Sequence, residues 1–334
     1  MKVDGGVGFE LEAVGAQARE LEEMGYSGIL SAETAHDPFF PLLVAAQHTT
    51  HVDLMTSIAV AFARSPMILA NIGHDLNAAS KGRFVLGLGS QIRPHITKRF
   101  SMPWSSPAAR MREFILAMRA IWANWHSGEP LAFTGKFYTH TLMTPFFAPT
   151  NKEFAPPRVF LAAVGPRMTE VAGEVADGVI IHAFTTEKYL RETTLPALAR
   201  GFEKAGKKRE DFEISYPVFV CTGRDEAELA KAKIATRRQI AFYGSTPAYK
   251  PVLDSIGAGA LQADLNAMSK QGRWDSMGEV ITEDILNAFA IVAEPANIAK
   301  QIKARYGDVI DRTSAAYANI PKKDRIEIIE ALTA

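Results

Sequence analysis

The stretch Val159 to Ile181, VFLAAVGPRMTEVAGEVADGVII, decides how the rest of the chain is read. Val159 to Val164 is an uninterrupted apolar run, the pattern of a parallel strand covered on both faces. Gly165 permits a tight turn, and Pro166 suits a first helical position because it has no amide proton to leave unpaired. The helix ends near Ala176-Asp177-Gly178, and Val179-Ile180-Ile181 resumes as a strand. Such a loop leaves free backbone N–H groups at a helix N-terminus, a ready phosphate site, and Arg167 adds a fixed positive charge beside it. The unit reads as the holder of a phosphate-bearing cofactor inside an alternating β/α protein.

Working outward, the same alternation runs through the chain. Strands are expected at Lys2 to Gly8, Tyr26 to Ala32, Val52 to Val60, Arg83 to Gly89, Phe212 to Cys221 and Ile285 to Ala293. Helices are expected at Phe9 to Met24, Phe39 to His51, Pro66 to Ala79, Ala108 to His126, Glu187 to Lys204, Asp225 to Phe242 and Pro295 to Tyr306. With the opening unit this makes eight strand–helix pairs. Eight parallel units close most naturally into a (β/α)₈ TIM barrel, with the active site at the C-terminal strand ends. Two stretches break the rhythm: Gly128–Pro157, read as a hairpin and loop over the barrel mouth, and the irregular Tyr243–Glu283. No repeat or linker divides the chain, so residues 1–334 are expected to form one domain with insertions at about 128–157 and 243–283.

The 334 residues are 47% apolar, enough for a large core, and carry a formal net charge of zero. Nothing therefore argues for nucleic acid or an anionic membrane as partner. Cys221 is the only cysteine, which excludes an internal disulfide and a cysteine-rich metal site. Its apolar surroundings read as those of a small buried hydrophobe rather than a nucleophile. The N-terminus MKVDGG lacks a signal peptide's regions, and no apolar run approaches the roughly 20 residues of a membrane span. A cytoplasmic location is the expectation.

In a barrel, residues directly after each strand are the site candidates. The second strand ends in Glu33-Thr34-Ala35-His36-Asp37-Pro38, where Glu33 and His36 are candidate acid–base groups. Asp37-Pro38 equally reads as a helix start. The third strand ends in small residues and Arg64, which suits an anionic group. The fourth ends in Gly87-Leu88-Gly89-Ser90-Gln91, where glycines allow a ligand close to the backbone. His182 follows the sixth strand directly. No G-x-G-x-x-G opens a helix and no Walker loop is present, so ordinary dinucleotide and NTPase readings lose support. His74-Asp75 finds no third partner at metal-ligand spacing, and no metal is expected.

The order of these segments resembles the bacterial luciferase-like flavin and deazaflavin oxidoreductases over almost the whole chain. The resemblance is carried by ELEEMGYSGILSAETAHDPFFPLLVAA, TSIAVAFARSPMILA, GRFVLGLGSQ, PPRVFLAAVGPRMTEVAGEVADGVI and AFYGSTPAYKPVL. The last block, with ETAHDPF and LMTPFF, is similar to a subgroup assigned to coenzyme F420. The resemblance implies a cofactor ring across the strand ends, over Ser57 and Ile58, with a non-proline cis peptide between them. It further implies that the cofactor phosphate lies on the loop of Ala163, Val164, Gly165 and Pro166. From their own placement, Arg167 is expected to join the phosphate side, Gly89 and Ser90 to flank the ring, and Arg64 and His182 to lie about the cofactor. Two departures stand out. Thr34 occupies the position where relatives carry a histidine, and Ser90-Gln91-Ile92 lacks the glutamate of the sugar-phosphate dehydrogenases.

The function these features imply is F420-dependent hydride transfer to or from a small organic substrate. The open alternatives are an FMN-dependent monooxygenase and a non-catalytic flavin- or deazaflavin-binding protein. Phe137, Tyr138, Phe146, Phe147, Tyr243 and Tyr249 in the two insertions suggest an apolar or carbonyl-bearing substrate. Leu42, Leu43, Ala45, Ala46, Ile68, Leu69, Ala70 and Ile72 spread around more than one face of their helices, so a homodimer covering these helices is expected.

Overall fold

Eight parallel strands close on one another in the computed structural model, which describes residues 1–314 and 320–334. They are β1 (Lys2–Gly6), β2 (Gly28–Ser31), β3 (Asp53–Thr56), β4 (Phe84–Gly89), β5 (Arg158–Ala163), β6 (Gly178–Ile181), β7 (Glu213–Tyr216) and β8 (Arg312–Ser314). Around the ring they follow the order β3-β2-β1-β8-β7-β6-β5-β4, and β4 returns to β3 through Leu54↔Phe84 and Met55↔Val85. The fold is a (β/α)₈ TIM barrel, as the strand and helix pattern implies.

The helices α1 (Leu11–Glu23), α2 (Phe39–His48), α3 (Pro66–Ala79), α4 (Pro107–Ser127), α5 (Pro166–Val175), α6 (Leu195–Ala205), α7 (Glu226–Gly244), α8 (Pro295–Tyr306) and α9 (Lys322–Thr333) surround the strands. Pro66, Pro107, Pro166 and Pro295 each open a helix, where a missing N–H costs nothing. Among the described residues, no helix is long and apolar enough to cross a membrane.

The structure corrects three expectations. The expected strand Ile285 to Ala293 is largely the helix Glu283–Phe289, because the Thr282 side chain accepts from the Ile285 N–H and caps it. Only Ala290–Val292 is extended, and it pairs with Phe219–Cys221 in a separate two-stranded sheet. The true closing strand is β8, short and led by Arg312 rather than by apolar residues. The expected strand Phe212 to Cys221 divides into β7 and Phe219–Cys221, with Pro217 between them unable to donate to a ladder. The region Tyr243–Glu283 is largely helical, with helices at Lys250–Ser255 and Leu261–Lys270.

Gly128–Pro157 does contain a hairpin, Phe133–Thr134 against Thr139–His140. It links the C-terminus of α4 to the start of β5, however, so it rises along the barrel's flank. Glu113 of α4 accepts from the Lys136, Phe137 and Tyr138 N–H groups, and Asn77 of α3 donates to Ala155 O at 2.7 Å. Cys221 is fully buried, and burial pushes its thiol pKa up, as its apolar run suggests.

Inside the barrel, side chains two residues apart on one strand stack in layers. At the N-terminal end sits an ion network. Arg312, wholly buried, donates to Asp53 at 2.5 Å, Glu213 at 3.2 Å and Asp4 at 3.1 Å, while Arg158 bonds both Asp53 and Glu213. Above it, Met55, Val85, Phe160 and Ile180 form an apolar plug, with Ile58 and Ala162 packed on it from the open end.

Candidate active site

A cavity of about 860 Å³ opens where the strands end. Its floor is Ile58, Gly89 and Ala162, and its walls come from β4's following loop, the start of α4, the start of α5, His182 and the segment Thr246 to Tyr249. The Ser57–Ile58 peptide is cis, at the bond the sequence resemblance pointed to. A Cβ on Gly89 would stand 2.8 Å from Ile58 Cδ1, so the glycine lets Ile58 lie flat across the floor. The result is an apolar platform that a planar ring can approach closely.

At one end of this platform, Gly165 adopts φ 77°, ψ 156° as the residue before α5. That region is essentially reserved for glycine, and α5 has no side-chain cap. Its first N–H groups therefore remain available to an anion, with Val164, Gly165, Arg167 and Met168 on the cavity wall and Ala163 just behind. Arg93, on the opposite loop, is a second guanidinium on the wall, and among the described residues neither Arg93 nor Arg167 has a side-chain hydrogen-bond partner. Gln91 and Ser106, both on the wall, hold left-handed backbone at φ 58° and φ 37° without being glycine.

The strand-two cluster lies elsewhere. Glu33 accepts from Arg64 at 2.6 Å and from the Val60 N–H at 2.7 Å, and Arg64 also donates to Asp37 at 2.8 Å. Asp37 in turn accepts from the Phe39 N–H at 3.0 Å, so the helix-start reading of Asp37-Pro38 holds. Arg64 is thus committed to two carboxylates rather than open to an anionic ligand. His36 is exposed with its ring against Phe9, 5.1 Å between centroids. Neither Glu33, His36, Ser57 nor Arg64 lines the cavity, whereas Ile58, Gly89, Ser90, Val164, Gly165, Arg167 and His182 do.

His182 is the wall's one histidine among the described residues, and no aspartate or glutamate of those residues joins it. The Phe184 N–H donates to its Nδ1 at 3.0 Å. Tyr249 stacks on the imidazole at 4.7 Å and 27°, and Tyr243 meets it edge-on at 4.7 Å and 86°. Burial depresses the imidazole pKa to about 4 and raises that of the Tyr249 phenol to about 12. Both groups are neutral at physiological pH.

Of the insertion aromatics, only Tyr249 lines the cavity, with Tyr243 behind His182. Tyr138 packs on Phe114 and accepts from Arg110 at 2.7 Å, while Phe146 and Phe147 are exposed away from the wall. The wall residues not anticipated from sequence include Arg93, Trp104, Met168 and Thr246. A loop address after strand four marks Arg93, but Trp104 and Met168 carry no signal distinguishing them from core residues.

The fold and cavity define a β/α barrel with an anion cradle after its fifth strand and an apolar floor over its third and fourth. The chain belongs to the luciferase-like monooxygenase family, whose model matches residues 2–312. It is 53% identical over 312 residues to the uncharacterized protein Rv1360 of Mycobacterium tuberculosis, covering 93% of this chain and 92% of that one. It superposes on the coenzyme F420-dependent tetrahydromethanopterin reductase of Methanopyrus kandleri with TM-score 0.78 at 19% identity, over 98% and 96% of the two chains. An F420-dependent secondary alcohol dehydrogenase in complex with an F420–acetone adduct matches with TM-score 0.73 at 18% identity, over 99% and 98%. F420-dependent oxidoreductases of the luciferase-like family are thus among its homologues and structural neighbours.

Proposed function

We propose that this protein is a coenzyme F420-dependent oxidoreductase acting on a small apolar substrate at a carbonyl or alcohol carbon. The observation that carries the reading is one cavity joining a flat apolar floor to a glycine-opened helix N-terminus and two arginines without side-chain partners among the described residues. These residues fit a deazaflavin. Ile58, Gly89 and Ala162 would lie under its ring, Ala163, Val164, Gly165 and Arg167 would hold its phosphate, and Arg93 would meet the carboxylates of its tail. When bound, the cofactor supplies hydride exchange at C5. The protein's share is to orient the ring, fix the anionic tail and present an apolar face to the substrate.

A tail with several negative charges matches two open guanidiniums better than the single phosphate of FMN does. The FMN-dependent monooxygenase reading keeps the same cradle and draws its support from the family description. Anaerobic mixing with reduced F420 and a panel of aldehydes, ketones and enones separates these readings. Oxidation of reduced F420 by at least one carbonyl compound is expected. No oxidation by any, with FMN-dependent oxygen consumption instead, overturns the proposal.

A homodimer through α2 and α3 belongs to the same reading. Leu42, Ala45, Leu69 and Ala70 are buried within the chain, yet Phe40, Leu43 and Ile68 remain 59%, 40% and 51% exposed on these two helices. Light scattering at micromolar concentration is expected to give twice the chain mass, and a single-chain mass contradicts it.

A further inference from the structure

We infer that His182, through Nε2–H, is the hydrogen-bond donor to the substrate's oxygen, whereas the sequence pointed to Glu33 and His36 as the groups acting on the substrate and to His182 as a cofactor contact. The inference rests on the oxidoreductase reading of the cavity. Gly178, Ile180 and His182 lie two apart along β6 and its continuation, and Ile180 belongs to the apolar plug inside the barrel. His182 therefore takes the next inward position, above the plug. Ala162 pairs with Ile180 in the register of β5 and β6, so the imidazole stands at the edge of the floor made by Ile58 and Ala162.

Orientation follows from its hydrogen bond. Nδ1 accepts the Phe184 N–H, so in the neutral ring the proton must reside on Nε2. Tyr249 and Tyr243 pin the ring plane from two sides, and Nε2 has no partner within the protein among the described residues. The competing groups are weaker candidates. Ser90 spends its hydroxyl on Gln91 O at 3.1 Å, and Glu33 is held by Arg64 and the Val60 N–H outside the cavity.

The chemistry suits a neutral donor. As hydride arrives at a carbonyl carbon, the π pair moves to oxygen and negative charge grows there. A fixed N–H aimed at that oxygen stabilises the charge without reorganising. The oxygen then takes its proton from water, and His182 keeps its own. Neutral imidazole is known to act as an electrophile in this way, and burial keeps this one neutral well below physiological pH. The substrate this selects has one acceptor oxygen on an otherwise apolar body.

The test uses acetophenone labelled with ¹³C at the carbonyl, read by infrared difference spectroscopy with and without F420, alongside F420 titration. Wild type should lower the carbonyl stretching frequency. His182→Asn keeps an acceptor for the Phe184 N–H but has no donor at the Nε2 position. It should abolish the shift, leave F420 affinity unchanged and lower turnover by about 10²-fold. His182→Gln, which restores an N–H at that reach, should recover part of the shift. A shift that survives in His182→Asn, or that disappears in Tyr249→Phe instead, overturns the assignment. So does an unperturbed carbonyl band in wild type under both conditions. A shifted band without any F420 binding would remove the cofactor reading and leave the donor in place.

Discussion

The two ends of the barrel interior are built on the same strands and solve opposite problems. At the N-terminal end, Asp4, Asp53 and Glu213 face Lys2, Arg158 and Arg312, and every one of these groups finds a partner inside the protein. At the C-terminal end, four residues further along β5 and β6, stand Ala162 and His182 in place of charges, and donors are left open. Paired charges close a barrel, whereas unpaired donors beside apolar surface make it a receptacle. The difference also shows that density of titratable residues is a poor guide to a site. Glu33, Asp37 and Arg64 cluster after the second and third strands, yet Arg64 holds both carboxylates and none of the three lines the cavity.

Removing the central cation should break the closed end most severely. Arg312→Leu leaves Asp4, Asp53 and Glu213 without their shared partner, and a loss of about 3–5 kcal/mol is expected. Urea unfolding measures it, and a loss of under about 1 kcal/mol would show the network to be as dispensable as an exposed pair.

Asp4 gives the same end a pH signature. Burial raises its pKa from 3.8 to about 7, ahead of the opposing pull of Arg312. Its folded value exceeds its unfolded one, so folding takes up a proton between about pH 4 and 7. The stability it contributes is full in acid and is lost as pH rises through that window. Relative to Asp4→Asn, wild type should lose up to about 1.4 kcal/mol per pH unit there. A flat difference between the two proteins across the window would mean that Asp4 is ionised throughout.

The open end should respond in ligand affinity instead. Gly165→Ala forces a side chain into a glycine-only conformation, although nothing lies within 4 Å of the added Cβ. The expected cost is about 1–3 kcal/mol, seen mainly as weaker F420 binding because the turn that aims α5's N–H groups must move. Unchanged affinity would show that the phosphate is held elsewhere.

Much of the fold was legible because parallel strands buried on both faces write continuous apolar runs, and β4, β5 and β6 do so. β8 was not legible, since its signal residue is Arg312, which reads as surface until its three carboxylate partners are known. Ala290–Val292 misled for the converse reason: it is apolar because it is buried in a side sheet with Phe219–Cys221. At the site, the glycine turn at Gly165 and the strand-end address of His182 follow from local sequence, while the cis bond before Ile58 was legible only through the family resemblance. The cavity's aromatic wall does not. Tyr249 reaches His182 from an insertion more than sixty residues away, and only the folded chain joins them. Phe146 and Phe147 looked equivalent to Tyr249 in composition, yet they are exposed and do not line the cavity.

On the proposed reading, the open end takes a deazaflavin with a polyanionic tail. A head-to-head titration of the purified protein with oxidised F420 and with FMN tests it most directly. Micromolar binding of F420 that weakens with added salt, with no saturable binding of FMN, is the result predicted. Micromolar binding of FMN with none of F420 would contradict it.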